Sequence, residues 1–129
     1  MTPVERVSVV ARWLLFGCLL ACGATDPDAD VRDLQARTTP SGTRLVAASP
    51  ITRDTRGVEA TWEVEASMSW GDYVQRVSRR LAGFVDDRAD GNAAQFTRSF
   101  PGDTHILRIE LLSLGPPLRV RATFQSFPS

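Results

Sequence analysis

The sequence predicts a small α+β domain of order β-α-β-β-β, a mainly antiparallel sheet with one helix packed on one face. Three observations carry this reading. Apolar and polar residues alternate from Val58 to Ala66, a helical pattern follows directly after, and two further alternating runs flank Gly115-Pro116-Pro117 near the end of the chain.

Before the first of these runs, the segment from Gly23 to about Arg56 reads as a flexible tether. Asp26, Asp28, Asp30 and Asp33 are interspersed with Pro27 and small residues, and Thr38-Thr39-Pro40-Ser41-Gly42 is a cluster of turn formers. Such composition buries too little to offset the entropy of ordering it. Thirty residues of flexible coil would have an r.m.s. reach of roughly 30 Å. One short apolar patch, Leu45-Val46-Ala47-Ala48, could add an edge strand.

The first strand places Val58, Ala60, Trp62, Val64 and Ala66 on one face, with Glu59, Thr61, Glu63 and Glu65 on the other. Ser69-Trp70-Gly71-Asp72 then has the form of a capping box, with Met68 and Tyr73 as its accompanying staple. Trp70, Tyr73, Val74, Val77 and Leu81 fall at helical spacing, Asp72, Arg76, Arg79 and Arg80 fill the polar side, and Gly83 offers a stop. The acidic stretch from Val85 to Ala93 reads as a loop. Gln95 to Phe100 follows as a short strand, closed by Pro101-Gly102-Asp103.

Two strands complete the set, one carrying Leu107, Ile109 and Leu111 and the other Leu118, Val120, Ala122 and Phe124. Keeping both apolar sets on one face requires paired positions that sum to an odd number, because a slip of one residue turns a whole set outward. Pairing Leu111 with Val120 and Leu107 with Phe124 also places Glu110 opposite Arg121. The neighbouring allowed register would set Arg108 against Arg121, two like charges, disfavoured by under ~1 kcal/mol.

Chemistry is sparse. His105 is the only histidine, so any Ser-His-Asp or Cys-His device must use it, yet its parity places it on the apolar face as a partly buried structural histidine. Asp86, Asp90 and Gly91 match positions one, five and six of a calcium loop, but Arg88 stands where a ligand is needed and Thr97 where the bidentate glutamate belongs. Glu63 and Glu65 share a strand face, without the cleft that a carboxylate pair needs for glycoside hydrolysis. Trp62, Trp70 and Tyr73 could stack on a sugar ring, but all lie on the apolar side. Arg76, Arg79 and Arg80 could meet anionic lipid or an acidic partner, or form a solvated helix face. No catalytic, cofactor-binding or metal-binding residue is therefore assigned, and no cofactor is expected.

The N-terminal residues are more specific. Arg6 and Arg12 precede a nine-residue apolar run from Trp13 to Ala21, which ends at Cys22 and gives way to Gly23-Ala24-Thr25-Asp26. A membrane-spanning helix needs roughly 20 apolar residues. Extending the run back to Val7 would take in Arg12, at about 2.5 to 3.5 kcal/mol were it at the bilayer centre. The pattern is that of a secretory signal, and Leu19-Leu20-Ala21-Cys22 resembles the lipobox of bacterial lipoproteins. That resemblance implies cleavage before Cys22 and lipid on its thiol. An uncleaved anchor and an unlipidated secreted form are the alternatives. Cys18 is a rival site, but a cut there would leave Leu19-Leu20-Ala21 on the mature end.

This divides the chain into a signal peptide (1–21), a lipidated cysteine with its tether (22–55) and a domain (56–129). The cysteines support it, since Cys18 and Cys22 are the only two. Acylation of Cys22 would remove the one thiol left in the exported chain. The mature chain would carry thirteen arginines, no lysine and fourteen acids, net charge about −1. This gives no basic footprint for nucleic acid. Gly23, in place of the aspartate that favours inner-membrane retention in enterobacterial lipoproteins, implies the outer membrane where there is one. The expected role is that of a lipid-anchored, non-catalytic interaction or assembly module of the cell envelope, held to the membrane by Cys22 with an envelope protein as partner. A binding protein for a small ligand or cell-wall polymer is the alternative.

Overall fold

The computed structural model describes residues 26–128; the expected signal segment and Cys22 lie outside them. Within this range the chain forms α1 (Pro27–Arg37), β1 (Thr43–Ala48), β2 (Thr52–Asp54), β3 (Gly57–Ala66), α2 (Trp70–Arg80), β4 (Val85–Ala89), β5 (Ala93–Phe100), β6 (Asp103–Ser113) and β7 (Leu118–Pro128). The seven strands make one antiparallel sheet of order β1-β3-β7-β6-β5-β4, and β2 pairs β3 beyond the end of β1. The α+β class and the mainly antiparallel sheet match the sequence reading. The single helix does not, because the described residues form two.

The added helix corrects the tether. Asp26 caps α1 by accepting the Asp28 amide at 3.0 Å, Pro27 occupies the first turn, where its missing N–H costs nothing, and Asp28 and Asp30 complement the helix dipole. Arg37 closes the far end, beside Asp33 at 3.1 Å. Only Val31 and Leu34 give α1 an apolar stripe, too few to register as a periodic pattern. They suffice because the helix lies on a sheet already rich in apolar surface. Residues 26–54 thus belong to the fold, and the domain does not begin at Arg56. The Leu45 patch is the edge strand β1, and β2 follows it.

Aromatic side chains with polar tips hold α1 in place. Trp62 and Tyr73 are both fully buried, and a buried indole N–H or phenol needs a partner. Thr38, the C-cap of α1 and itself buried, supplies both. The Trp62 Nε1–H donates to its Oγ1 at 2.9 Å, and the Tyr73 hydroxyl donates to its carbonyl at 2.7 Å. The Thr38 hydroxyl in turn donates back to the Leu34 carbonyl at 2.8 Å. Arginines lock the two helices at their C-terminal ends: Arg80 donates to the carbonyls of Ala36 and Arg37, and Arg37 donates to that of Ala82.

The β6–β7 register is the one argued from the sequence, with Leu107 opposite Phe124, Glu110 opposite Arg121 and Leu111 opposite Val120. β3 continues it, Trp62 facing Ala122 and Val64 facing Val120. The inner faces of β3, β5, β6 and β7, with Val31, Leu34, Tyr73, Val77 and Leu81 from the helices, form one core. Ser69 caps α2, its Oγ accepting the Asp72 amide at 3.1 Å. Strand β3 is second in the sheet and β4 is at the far edge, about 19 Å away at four strand spacings. An eleven-residue helix spans about 16 Å, so α2 with its short flanking loops carries the chain across that face. The expected acidic loop is instead β4 with a turn, since an edge strand pairs through its backbone and tolerates polar side chains. It pairs β5, with a bulge between Asp86 and Arg88.

Thr38→Val removes the hydroxyl while keeping the shape, leaving the Trp62 N–H buried without an acceptor. Urea denaturation should show a loss of about 1 to 3 kcal/mol, with Thr38→Ser much closer to the wild type.

Candidate functional site

The β5–β6 turn sets up a polar cluster inside the sheet. Antiparallel pairing puts Arg98 opposite His105, Phe100 opposite Asp103, and His105 opposite Ser126. All five residues share the parity of the core face, so charged groups here are pushed under the helices. His105 is 1% exposed. Its Nε2 lies 2.8 Å from Asp103 Oδ2, and its Nδ1 receives the Arg98 Nε–H at 2.9 Å. A guanidinium has no acceptor, so Nδ1 must accept and the ring proton sits on Nε2, facing the carboxylate. The Ser126 hydroxyl donates to the other Asp103 oxygen at 2.8 Å.

Helix α1 completes the cluster. Asp30 reaches to within 3.7 Å of the Arg98 guanidinium, which lies over the Phe84 ring at 4.4 Å and the Phe100 ring at 5.2 Å. Phe100 and Phe124 meet the His105 ring edge-on at 5.2 and 5.1 Å. Partial burial raises the Asp30 carboxyl above its ordinary value, outweighing the opposing pull of His105 and Arg98. The same burial lowers Arg98.

This arrangement differs from a catalytic triad. A Ser-His-Asp machine needs the serine on one imidazole nitrogen and the carboxylate on the other. Here the second nitrogen takes the Arg98 N–H, and Ser126 bonds to the carboxylate. His105 lies on the apolar face, where its parity placed it, and is buried more completely than its strand-end position suggested. What the sequence reading missed is Arg98 and Asp30. Parity could have placed Arg98 inside, since the same count that buries Phe96 and His105 buries position 98. Asp30 was hidden with its helix.

The outer face carries a charge ladder. Glu65 accepts Arg44 at 2.7 Å and Arg119 at 2.9 Å, and Glu63 lies 3.8 Å from Arg121. These bonds, Arg44 first, hold the Glu65 carboxyl below its ordinary value. The two glutamates are thus spent on cross-strand arginines. Among the remaining arginines of α2, Arg80 caps α1 and Arg76 reaches the Ser41 carbonyl at 3.5 Å. Arg79 faces an open groove of about 590 Å³ shared with Trp70, Val74, Gln75, Asp86 and Asp90. Trp70 is half-buried on its rim, unlike Trp62 and Tyr73. Asp90 closes the β4–β5 turn, its Oδ1 accepting the amides of Asn92 and Ala93 at 2.8 Å. Among the described residues no three His, Cys, Asp or Glu side chains converge as a metal site would require, and no helix is long and apolar enough to cross a membrane.

Fold and sites together define a small α+β domain with a two-helix layer over an antiparallel sheet, braced by an Arg-His-Asp-Ser chain centred on the buried His105. No family model and no curated protein matches the chain. Among solved structures it is similar to LpqN, involved in cell envelope biogenesis of Mycobacterium tuberculosis, with a TM-score of 0.40 and 13% identity over 70% of this chain and 69% of that one.

The lowered Glu65 fixes a sign for acid stability. A carboxyl depressed on folding stabilises the domain above its unfolded value near 4.5, and that contribution is lost as pH falls through the lower folded value. In denaturation series between pH 6 and 2, wild type should therefore lose more stability than Glu65→Gln. Parallel curves would contradict this.

Proposed function

We propose that the chain is a lipid-anchored protein of the cell envelope, tethered through Cys22, whose folded domain binds or helps assemble other envelope components and does no chemistry itself. The observation that carries the anchor is the lipobox Leu19-Leu20-Ala21-Cys22 at the end of an apolar run too short to span a bilayer. Gly23 after the cysteine favours the outer membrane, facing the periplasm, in an organism that has one. The non-catalytic reading draws support from how the reactive side chains are used. Both nitrogens of the single histidine are engaged, and Glu63 and Glu65 are paired to arginines.

A second reading, a binding protein for a small ligand or cell-wall polymer, has one observation in its favour. The groove along α2 joins a half-buried tryptophan to polar groups of both charges, which suits a polar ring stacked on Trp70. It ranks second because the groove is shallow and none of its charged residues is deeply buried.

Mass spectrometry of the mature protein, purified from membranes, tests the anchor. The expected species begins at Cys22 and carries acyl mass, and Cys22→Ser should abolish both and release the protein to the soluble fraction. A full-length unmodified chain would overturn the reading.

A further inference from the structure

The correction of the tether has a geometric result. Between Cys22 and Asp26 there are four Cα steps, which reach at most about 14 Å when fully extended. Asp26 caps α1, and that end of α1 is fixed to one end of the sheet by two ion pairs. Asp28 meets Arg53 of β2 at 3.4 Å, and Asp30 meets Arg98 at the end of β5. Asp30 follows Asp26 by one helical turn, about 6 Å. A lipid on Cys22 therefore lies within roughly 20 Å of this sheet end.

We infer that this end of the domain, bearing Phe100 and Phe127, rests against the lipid surface and inserts those two rings at its interface. The inference depends on the Cys22 anchor and adds an orientation to it. Phe100 closes β5 and is 45% exposed; Phe127, near the end of β7, is 37% exposed. The register puts them at the same end of the sheet one residue level apart, Phe100 on the core face and Phe127 on the outer face, since Phe100 pairs with Asp103 and Thr104 pairs with Phe127. Pro101 and Pro128, both exposed, flank them. Aromatic rings are well suited to the bilayer interface.

Other orientations fit less well. The opposite end carries Leu112 and Leu114, the latter 71% exposed. Ten strand steps of β6 separate it from Asp103, about 33 Å. Standing on that end would lift Asp26 further from the lipid than four residues can bridge. Lying on the sheet would press Glu59, Glu65, Arg108, Arg119 and Arg121 onto the membrane. The helical side would present Arg32, Asp33, Gln75 and Arg79. Asp26, Asp28 and Asp30 lie on or beside the start of α1, so the contact is apolar and gains nothing from anionic lipid.

The test uses the full lipidated protein reconstituted in phosphatidylcholine vesicles, with and without phosphatidylglycerol. Acylation occupies the Cys22 thiol and the signal's Cys18 is removed, so one introduced cysteine accepts a fluorophore. Ser99→Cys, beside Phe100, should be quenched by brominated acyl chains several-fold more strongly than Ser113→Cys at the far end, equally in both vesicle types. Replacing Phe100 and Phe127 together by serine should reduce that quenching while the protein still floats with vesicles. Equal quenching at both positions, stronger quenching at Ser113, or none at either while the protein remains vesicle-bound would overturn the orientation and leave the anchor intact. Absence of acyl mass on the purified protein would instead remove the anchor itself.

Discussion

Everything in this domain turns on how two buried aromatic side chains satisfy their polar tips. Trp62 and Tyr73 belong in the core by size and apolar area, yet each carries one hydrogen-bonding group that cannot be left dry. Thr38 answers both from the end of α1. This requirement draws a helix with only two core residues onto the sheet and holds it there. It also brings Asp30 to Arg98, so the interior polar cluster depends on the same docking.

The two faces of the sheet show opposite solutions to charge. Inside, Arg98, His105, Asp103 and Ser126 share one chain of three hydrogen bonds, and three aromatic rings close around it. Among the described residues no buried side-chain nitrogen or oxygen is left without a partner. Outside, glutamates of β3 face arginines of β7 at the water-facing surface, where solvent screens each pair. The inner chain braces one end of the domain. The outer ladder keeps the register and covers the sheet with polar groups.

Much of this could be read from residues. Strict alternation named β3, β6 and β7, and parity together with the Glu110–Arg121 pairing gave the hairpin register found. The Ser69 cap and the spacing from Trp70 to Leu81 gave α2. Other elements had no pattern to read: β4 is polar because it pairs only by its backbone at an edge, and α1 buries two residues in eleven. Yet α1 did leave a signal. Asp26-Pro27 with acids in the first turn and Arg37 at the close is a helix's end chemistry, and two core aromatics lacked partners until something covered them. Composition outweighed those local signs, and with the helix went Asp30 and its contact to Arg98. Cys22 and the residues that resemble a lipobox lie outside the described residues, so the structure bears on the proposed anchor only through the length of chain between Cys22 and α1.

Replacing a long tether by a folded helix changes the physical picture of the mature protein. With the proposed anchor at Cys22, a coil of thirty residues would let the domain roam roughly 30 Å, whereas the four Cα steps from Cys22 to Asp26 would hold it close. Native-state hydrogen exchange on residues 27–38 tests this most directly. If α1 is docked through Thr38, its amides exchange slowly and open with a free energy close to that of β3 and β7. Exchange at the rate of an unstructured chain, with the sheet still protected, would contradict the account.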